Sequence, residues 1–300
     1  MAGSGEQFAH LPSGIDICHE TFGDTADPPV LLVMGLGGPM GWWAMEFCEE
    51  LAAEGLFVIR YDNRDTGRST KLRQYHVSKL DIVKAAVGMV KNPPYRLGDL
   101  ADDAFGLLDH LGIDQAHLVG VSMGGMIVQT MAIDRPERAL SMTSIMSTTG
   151  RRTVGYQHPR VLPGLFASSG RTRDEYVARS LRATAMIASP DYPTTDEDAR
   201  ARAHETYDRG WTASGVARQL MAILTQTDRT AALADLDLPV TVVHGLKDPL
   251  VHRSGGKATA DAIPRAEHIE IPGMAHDLPV QLHGTFIEAI TGTIARSVHR

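Results

Sequence analysis

The sequence predicts an α/β fold, a mostly parallel central sheet flanked by helices, with a helical cap inserted into it. Three observations carry this. Short all-apolar runs recur along the chain and end at glycine or a polar residue, as strands buried on both faces do. Segments with helical spacing lie between them, the alternation of a parallel sheet. One polar stretch, from about 150 to 228, breaks the alternation without an evident strand pattern.

Val30-Leu31-Leu32-Val33-Met34 is the first predicted strand, Phe57 to Tyr61 the second and His117 to Val121 the third. Leu140 to Met146, Pro239 to Val243 and Glu267 to Ile271 follow. Helical spacing covers Trp42 to Glu54, and Leu97 to Leu111 with Leu100, Ala104, Leu107, Leu108 and Leu111 on one face. Asp99, Asp102 and Asp103 load the first turn of the latter helix, where they complement its dipole. Met123 to Ile133 is a helix stopped by Asp134-Arg135-Pro136, and Leu282 to Val298 closes the chain. Inside the polar stretch, Thr195 with Asp198 resembles a capping box, and Val216 to Leu224 is a further helix. The core domain is therefore expected at 1–149 and 229–300, and the cap at 150–228.

Composition narrows the class. The chain has 300 residues, 43% hydrophobic and 22% charged, an ordinary globular balance. A formal net charge of -7 disfavours a nucleic-acid partner, because such a surface repels a phosphate backbone. The longest apolar run falls far short of the ~20 residues that span a bilayer, and no basic-then-apolar leader opens the chain. Cys18 and Cys48 form no CxxC pair and read as buried, reduced thiols. The expectation is a cytoplasmic protein.

Gly120-Val121-Ser122-Met123-Gly124 matches G-x-S-x-G, between a predicted strand and a predicted helix. That setting is the nucleophile elbow, a sharp turn that lifts a serine above the sheet. Serine is a weak nucleophile and needs a base. The elbow fold orders its partners as serine, acid, histidine. Asp248 follows the Val240–Val243 run, and His276 follows the last strand in Gly273-Met274-Ala275-His276. Both then reach the carboxyl edge of the sheet, where open α/β folds place their sites. His276 is the expected base and Asp248 its orienting acid. His244, His252 and His268 are weaker rivals, and His244 suits a packing role.

Two backbone N–H groups are needed for a developing oxyanion. One is that of Met123. The other belongs to the loop Gly35-Leu36-Gly37-Gly38-Pro39-Met40-Gly41, with Leu36 the first choice and Gly37 the second. That loop lacks the G-x-G-x-x-G spacing of a dinucleotide site. Gly37, Gly38 and Met274 are candidates for the substrate pocket. Met34, Met40, Met123, Met126 and Met274 suit either an adaptable apolar pocket or the core. Asp62 to Ser69, charged and following the second strand, suits a structural network beneath the site, with direct substrate contact the alternative.

These residues resemble the α/β-hydrolase superfamily over nearly the whole chain. The oxyanion strand there usually ends in His-Gly; here it ends in Met34-Gly35. With Val33-Met34-Gly35, Ile59-Arg60-Tyr61-Asp62, Asp65-Thr66-Gly67-Arg68-Ser69-Thr70 and Ile271-Pro272-Gly273-Met274, this chain is similar to the aclacinomycin methylesterase branch. The resemblance implies a hydrolase core, a helical cap, no metal and no organic cofactor, and a small-molecule ester substrate, as in enzymes that cleave a methyl ester on an anthracycline polyketide. Lactonase, thioesterase, lipase and cofactor-free haloperoxidase activities use the same residues. A non-catalytic ligand receptor is the alternative outside catalysis.

Overall fold

In a computed structural model, residues 3–161 and 172–298 are described. Eight strands form one sheet: β1 (Gln7–His10), β2 (Asp16–Phe22), β3 (Pro29–Val33), β4 (Phe57–Tyr61), β5 (Ala116–Val121), β6 (Ala139–Ile145), β7 (Val240–Gly245) and β8 (Glu267–Ile271). Their spatial order is β1-β2-β4-β3-β5-β6-β7-β8. Only the β1–β2 and β2–β4 pairings are antiparallel; the rest of the sheet is parallel.

The apolar runs are strands because the sheet is covered on both faces. Leu31 and Val33 enter one core, with α3 (Leu97–His110) and α4 (Met123–Asp134). Val30 and Leu32 enter the other, with α1 (Met45–Ala53) and a long C-terminal helix, His283–Val298. Successive side chains of a strand point to opposite faces, so both cores draw on the same run.

Two strands escaped the sequence pattern. β1 is a four-residue edge strand, mostly exposed. β2 is buried but carries Glu20, which accepts a hydrogen bond from Arg60 Nε at 3.0 Å across the β2–β4 pairing. The ion pair lets charged residues sit inside a strand, which hides it from an apolar search. The helix expected from Trp42 starts later, at Met45, after a 3-10 turn over Met40–Trp42. A helix α2 (Lys79–Ala86), opened by a Ser78–Asp81 capping box, was also not expected.

Between β6 and β7 the described residues hold no strand. They form α5 (Arg173–Ile187), α6 (Asp196–Asp208) and α7 (Ala213–Leu224). Thr195 caps α6 by accepting the Asp198 N–H at 3.1 Å. A short α8 (Thr230–Leu233) and α9 (Ser254–Ala262) precede and follow β7, and the C-terminal helix is α10. No described helix is long and apolar enough to cross a membrane.

Candidate active site

Ser122 joins β5 to α4 with φ 57° and ψ -116°. A non-glycine residue rarely adopts such angles, and the strain persists only because the surroundings fix it. Ser122 N–H donates to Ile145 O at 2.9 Å, and Ser147 Oγ donates to Ser122 O at 2.8 Å. The flanking glycines are steric necessities. A Cβ on Gly120 would sit 2.2 Å from Gly124 O, and one on Gly124 would sit 2.0 Å from Val33 O. The turn closes only because neither side chain exists.

His276 and Asp248 arrive from the loops after β8 and β7. His276 Nε2 lies 3.0 Å from Ser122 Oγ, and His276 Nδ1 lies 2.6 Å from Asp248 Oδ2. With the ring proton on Nδ1, the imidazole donates to the carboxylate and accepts from the hydroxyl. Asp248 Oδ1 accepts the N–H groups of Leu250 and Val251, each at 2.8 Å. Burial alone would push the Asp248 carboxyl up. The charge of His276 and hydrogen bonds from His244 and His276 outweigh it and hold the group well below the usual carboxylate range. The three residues separated by 126 and 28 positions in sequence thus form one hydrogen-bonded line.

His244 does more than pack. It is fully buried, its Nε2 donates to Val251 O at 2.8 Å, and the same nitrogen lies 3.4 Å from Asp248 Oδ2. It therefore braces the turn that presents the acid. His252 instead stacks on Tyr156, and His268 is a half-buried residue of β8.

The Gly35–Gly41 loop borders Ser122. Neither Leu36 N–H nor Met123 N–H donates to another described residue. Gly37 N–H differs: it donates to Gln219 Oε1 of α7 at 2.8 Å, so this second choice is already occupied. Asn63 Nδ2 donates to Met34 O at 3.0 Å and fixes the start of the loop.

A partly open cavity of about 170 Å³ lies at Ser122 and His276, with Leu36, Trp42, Ile187 and Leu278 among its apolar walls. Its polar walls include Arg202 and Asp277. Burial pushes the Asp277 carboxyl up, against hydrogen bonds from Ser189 and the nearby charge of Arg202. A second cavity of about 340 Å³ shares Leu36, Trp42, Thr184 and Ile187 with the first and extends to Ile82 and Leu220. Gly37 lines this larger space. Two pocket candidates do not. Gly38 packs beneath Trp42 and Met34. Met274 is wholly buried in the α1–α10 core, because its chain turns inward before His276 turns out. Of the other methionines, Met34 and Met146 line the smaller cavity, whereas Met40, Met123 and Met126 lie outside its walls. Arg202, Asp277 and Gln219 belong to no motif and are found only once the fold brings them in.

The Asp62–Ser69 network is present. Asp62 accepts Met40 N–H at 2.7 Å, Arg68 N–H at 2.8 Å and Arg209 Nη2 at 2.7 Å. Asp65 accepts Arg218 Nε and Nη2 at 2.8 and 2.6 Å and Tyr95 OH at 2.8 Å. Gln219 Nε2 donates to Arg64 O at 2.8 Å and Thr66 Oγ1 at 2.7 Å.

A strained serine at a strand–helix turn, followed along the chain by an acid and a histidine, defines an α/β hydrolase. The family model of the alpha/beta hydrolase fold matches residues 28–281, and the chain belongs to that family. Rhodomycin D methylesterase DauP from Streptomyces sp. (strain C5) is 31% identical over 298 residues, covering 92% of this chain and 94% of that one. 3-oxoadipate enol-lactonase 2 from Acinetobacter baylyi is 26% identical, covering 93% and 92%. Among solved structures, the enol-lactonase from Burkholderia xenovorans LB400 superimposes with a TM-score of 0.75 at 22% identity, over 96% of this chain and all of that one.

Proposed function

We propose that the chain, a hydrolase acting on ester bonds, cleaves a carboxylic ester of a small apolar molecule through an acyl-enzyme on Ser122. The observation that carries this is the line Ser122 Oγ–His276–Asp248 at 3.0 and 2.6 Å, bordering a largely apolar cavity. Ser122 Oγ attacks the ester carbonyl as His276 takes its proton. Leu36 and Met123 N–H groups receive the oxyanion. His276 then protonates the leaving alcohol, and a water deprotonated by His276 releases the acid. Asp248 stays ionised throughout, holding the imidazole and stabilising its charged form.

The two adjoining cavities suit an ester with a small group on one side and a bulkier apolar body on the other. A methyl ester of a polyketide-like compound fits that division, and the 31% identity to an enzyme named as a methylesterase supports it. A lactone is the second reading, favoured by the likeness to enzymes named as enol-lactonases. Residues 150–228 act as a cap on the core formed by 1–149 and 229–300. Two free, buried cysteines fit a reducing compartment such as the cytoplasm.

A fluorophosphonate probe tests the mechanism. It is expected to label Ser122 alone, with labelling abolished in Ser122→Ala, and His276→Ala should cost several powers of ten in p-nitrophenyl ester turnover. Labelling at another residue, or near-normal turnover in His276→Ala, overturns the assignment.

A further inference from the structure

Helix α2 packs against α7 through Ile82 and Ala85 and turns its other side to solvent. Leu80 is 61% exposed, Val83 49%, Val87 60% and Met89 70%. Together with Tyr75 they make up five of the eleven exposed large hydrophobic residues among the described ones, all within fifteen positions. The clustering is what distinguishes them, since single exposed apolar residues are ordinary.

The charges are placed around this patch in a definite way. At about 100° per residue, Val83, Val87 and Leu80 fall at about 40°, 80° and 100° from Lys79, and Lys84 at about 140°. The apolar stripe is thus edged by a lysine on each side. Asp81 falls at about 200°, away from the stripe. Between positions 73 and 91 the chain carries Arg73, Lys79, Lys84 and Lys91 against Asp81 alone, in a protein of net charge -7. An apolar stripe flanked by long cationic side chains is the arrangement of a helix lying in a membrane interface, with apolar residues among the acyl chains and ammonium groups at the headgroups.

The same helix borders the larger cavity, whose walls include Val77, Lys79 and Ile82 at this end and Leu36 and Trp42 at the other. We propose that α2 docks the protein on an anionic lipid surface and holds the mouth of that cavity against the bilayer. Acidic charges elsewhere on the chain oppose this only weakly where they lie beyond the screening length, about 8 Å at physiological salt. A second copy of the chain fits less well: a two-fold contact through this face brings the lysines that edge one stripe toward those that edge the other, with no acidic residue of the stripe to offset them. The proposal does not depend on which ester is cleaved.

Co-sedimentation with vesicles is the test, using phosphatidylcholine alone and phosphatidylcholine with about a third phosphatidylserine. The protein is expected to sediment with the anionic vesicles and to be released at about 1 M salt, where screening shortens to about 3 Å. Leu80→Glu/Val87→Glu should lower the partition coefficient at least tenfold, and Lys84→Ala about fivefold, the contribution of one basic residue near such a surface. Circular dichroism checks that the variants fold. The proposal is overturned if the wild type does not bind anionic vesicles, or if Leu80→Glu/Val87→Glu binds them equally well. It is also overturned if light scattering finds a dimer that this double variant dissociates. Because binding is read without turnover, its failure and a failure of the esterase reading are separate results.

Discussion

Replacing Gln219 with leucine removes three hydrogen bonds, two of them buried, and leaves the size of the side chain nearly unchanged. Gly37 N–H loses its acceptor at 2.8 Å, and Arg64 O and Thr66 Oγ1 lose donors at 2.8 and 2.7 Å. Stranding a buried polar group costs about 1–3 kcal/mol. Gly37 is half-exposed and can turn to water, so the expected total is about 2–5 kcal/mol of stability, which a domain of this size survives. The effect on rate has another origin. Gly37 follows Leu36, whose N–H faces the developing oxyanion in the proposed mechanism. Deleting one such donor outright costs about 10²–10³-fold in kcat. Here the donor is loosened and not deleted, so kcat is expected to fall about 10–100-fold with KM nearly unchanged. Steady-state kinetics on a p-nitrophenyl ester measures the split, and fluorophosphonate labelling should slow in parallel because its tetrahedral adduct uses the same N–H groups. Gln219→Glu, which keeps an acceptor for Gly37, should lose under about tenfold. A folded Gln219→Leu with kcat within about twofold of wild type, or with the whole loss in KM, refutes the coupling of this residue to the oxyanion loop.

The remaining predictions concern buried titratable groups. Burial pushes the His117 imidazole down to about 4, so the unfolded chain binds more protons than the folded one between that value and about 6.5. The stability this supplies is complete above about 6.5 and is lost as pH falls through 4. Urea unfolding at pH 7 and pH 4.5 should therefore show a fall that is about 2 kcal/mol larger in wild type than in His117→Gln; equal falls would refute it. Cys18 and Cys48 are buried, and that burial pushes both thiols up to about 12. Neither should react with a disulfide reagent at pH 8 in the folded protein, and both should react at once in urea. Rapid native labelling of either would contradict the packing described here.

Much of the fold could be read from the chain because parallel strands buried on both faces are apolar at every position. Val30 to Val33 needs no alternation to be recognised. The antiparallel edge is different. β2 buries His19 and Glu20, and Glu20 is tolerable because Arg60 lies across the pairing 40 positions later. The juxtaposition of Ser122, Asp248 and His276 was legible for a similar reason, since each follows a predicted strand at the carboxyl edge of the sheet. Gln219, Arg202 and Asp277 were not legible. Each is an ordinary polar residue on a helix or loop, and its role depends on a partner 182 positions away or on a cavity wall. The pocket candidates show the converse error. Gly38 and Met274 lie beside site residues in sequence, but Gly38 packs against Trp42 and Met34 and Met274 is buried in the α1–α10 core, so adjacency in sequence does not put them in a cavity wall.

The network under the site also divides the inserted helices into parts with different duties. Arg209 reaches Asp62 across 147 positions, and Arg218 reaches Asp65 across 153. Both pairs are largely buried, and breaking such a pair costs about 3–5 kcal/mol because the remaining charge is left without compensation. The junction of α6 with α7, and α7 itself, are therefore anchored to the same segment that holds Met34 through Asn63 and Met40 through Asp62. By contrast, α5 and α6 share a small core of their own, Tyr176, Val177 and Ala203 against Trp211. The walls that the inserted helices give to the smaller cavity, from Ser180 and Ile187 to Arg202 and Thr206, come from α5 and α6 alone. In the proposed mechanism, the shape around the scissile bond can thus vary through α5 and α6 while α7 holds the loop at Gly37, which would separate the choice of ester from the stabilisation of its transition state.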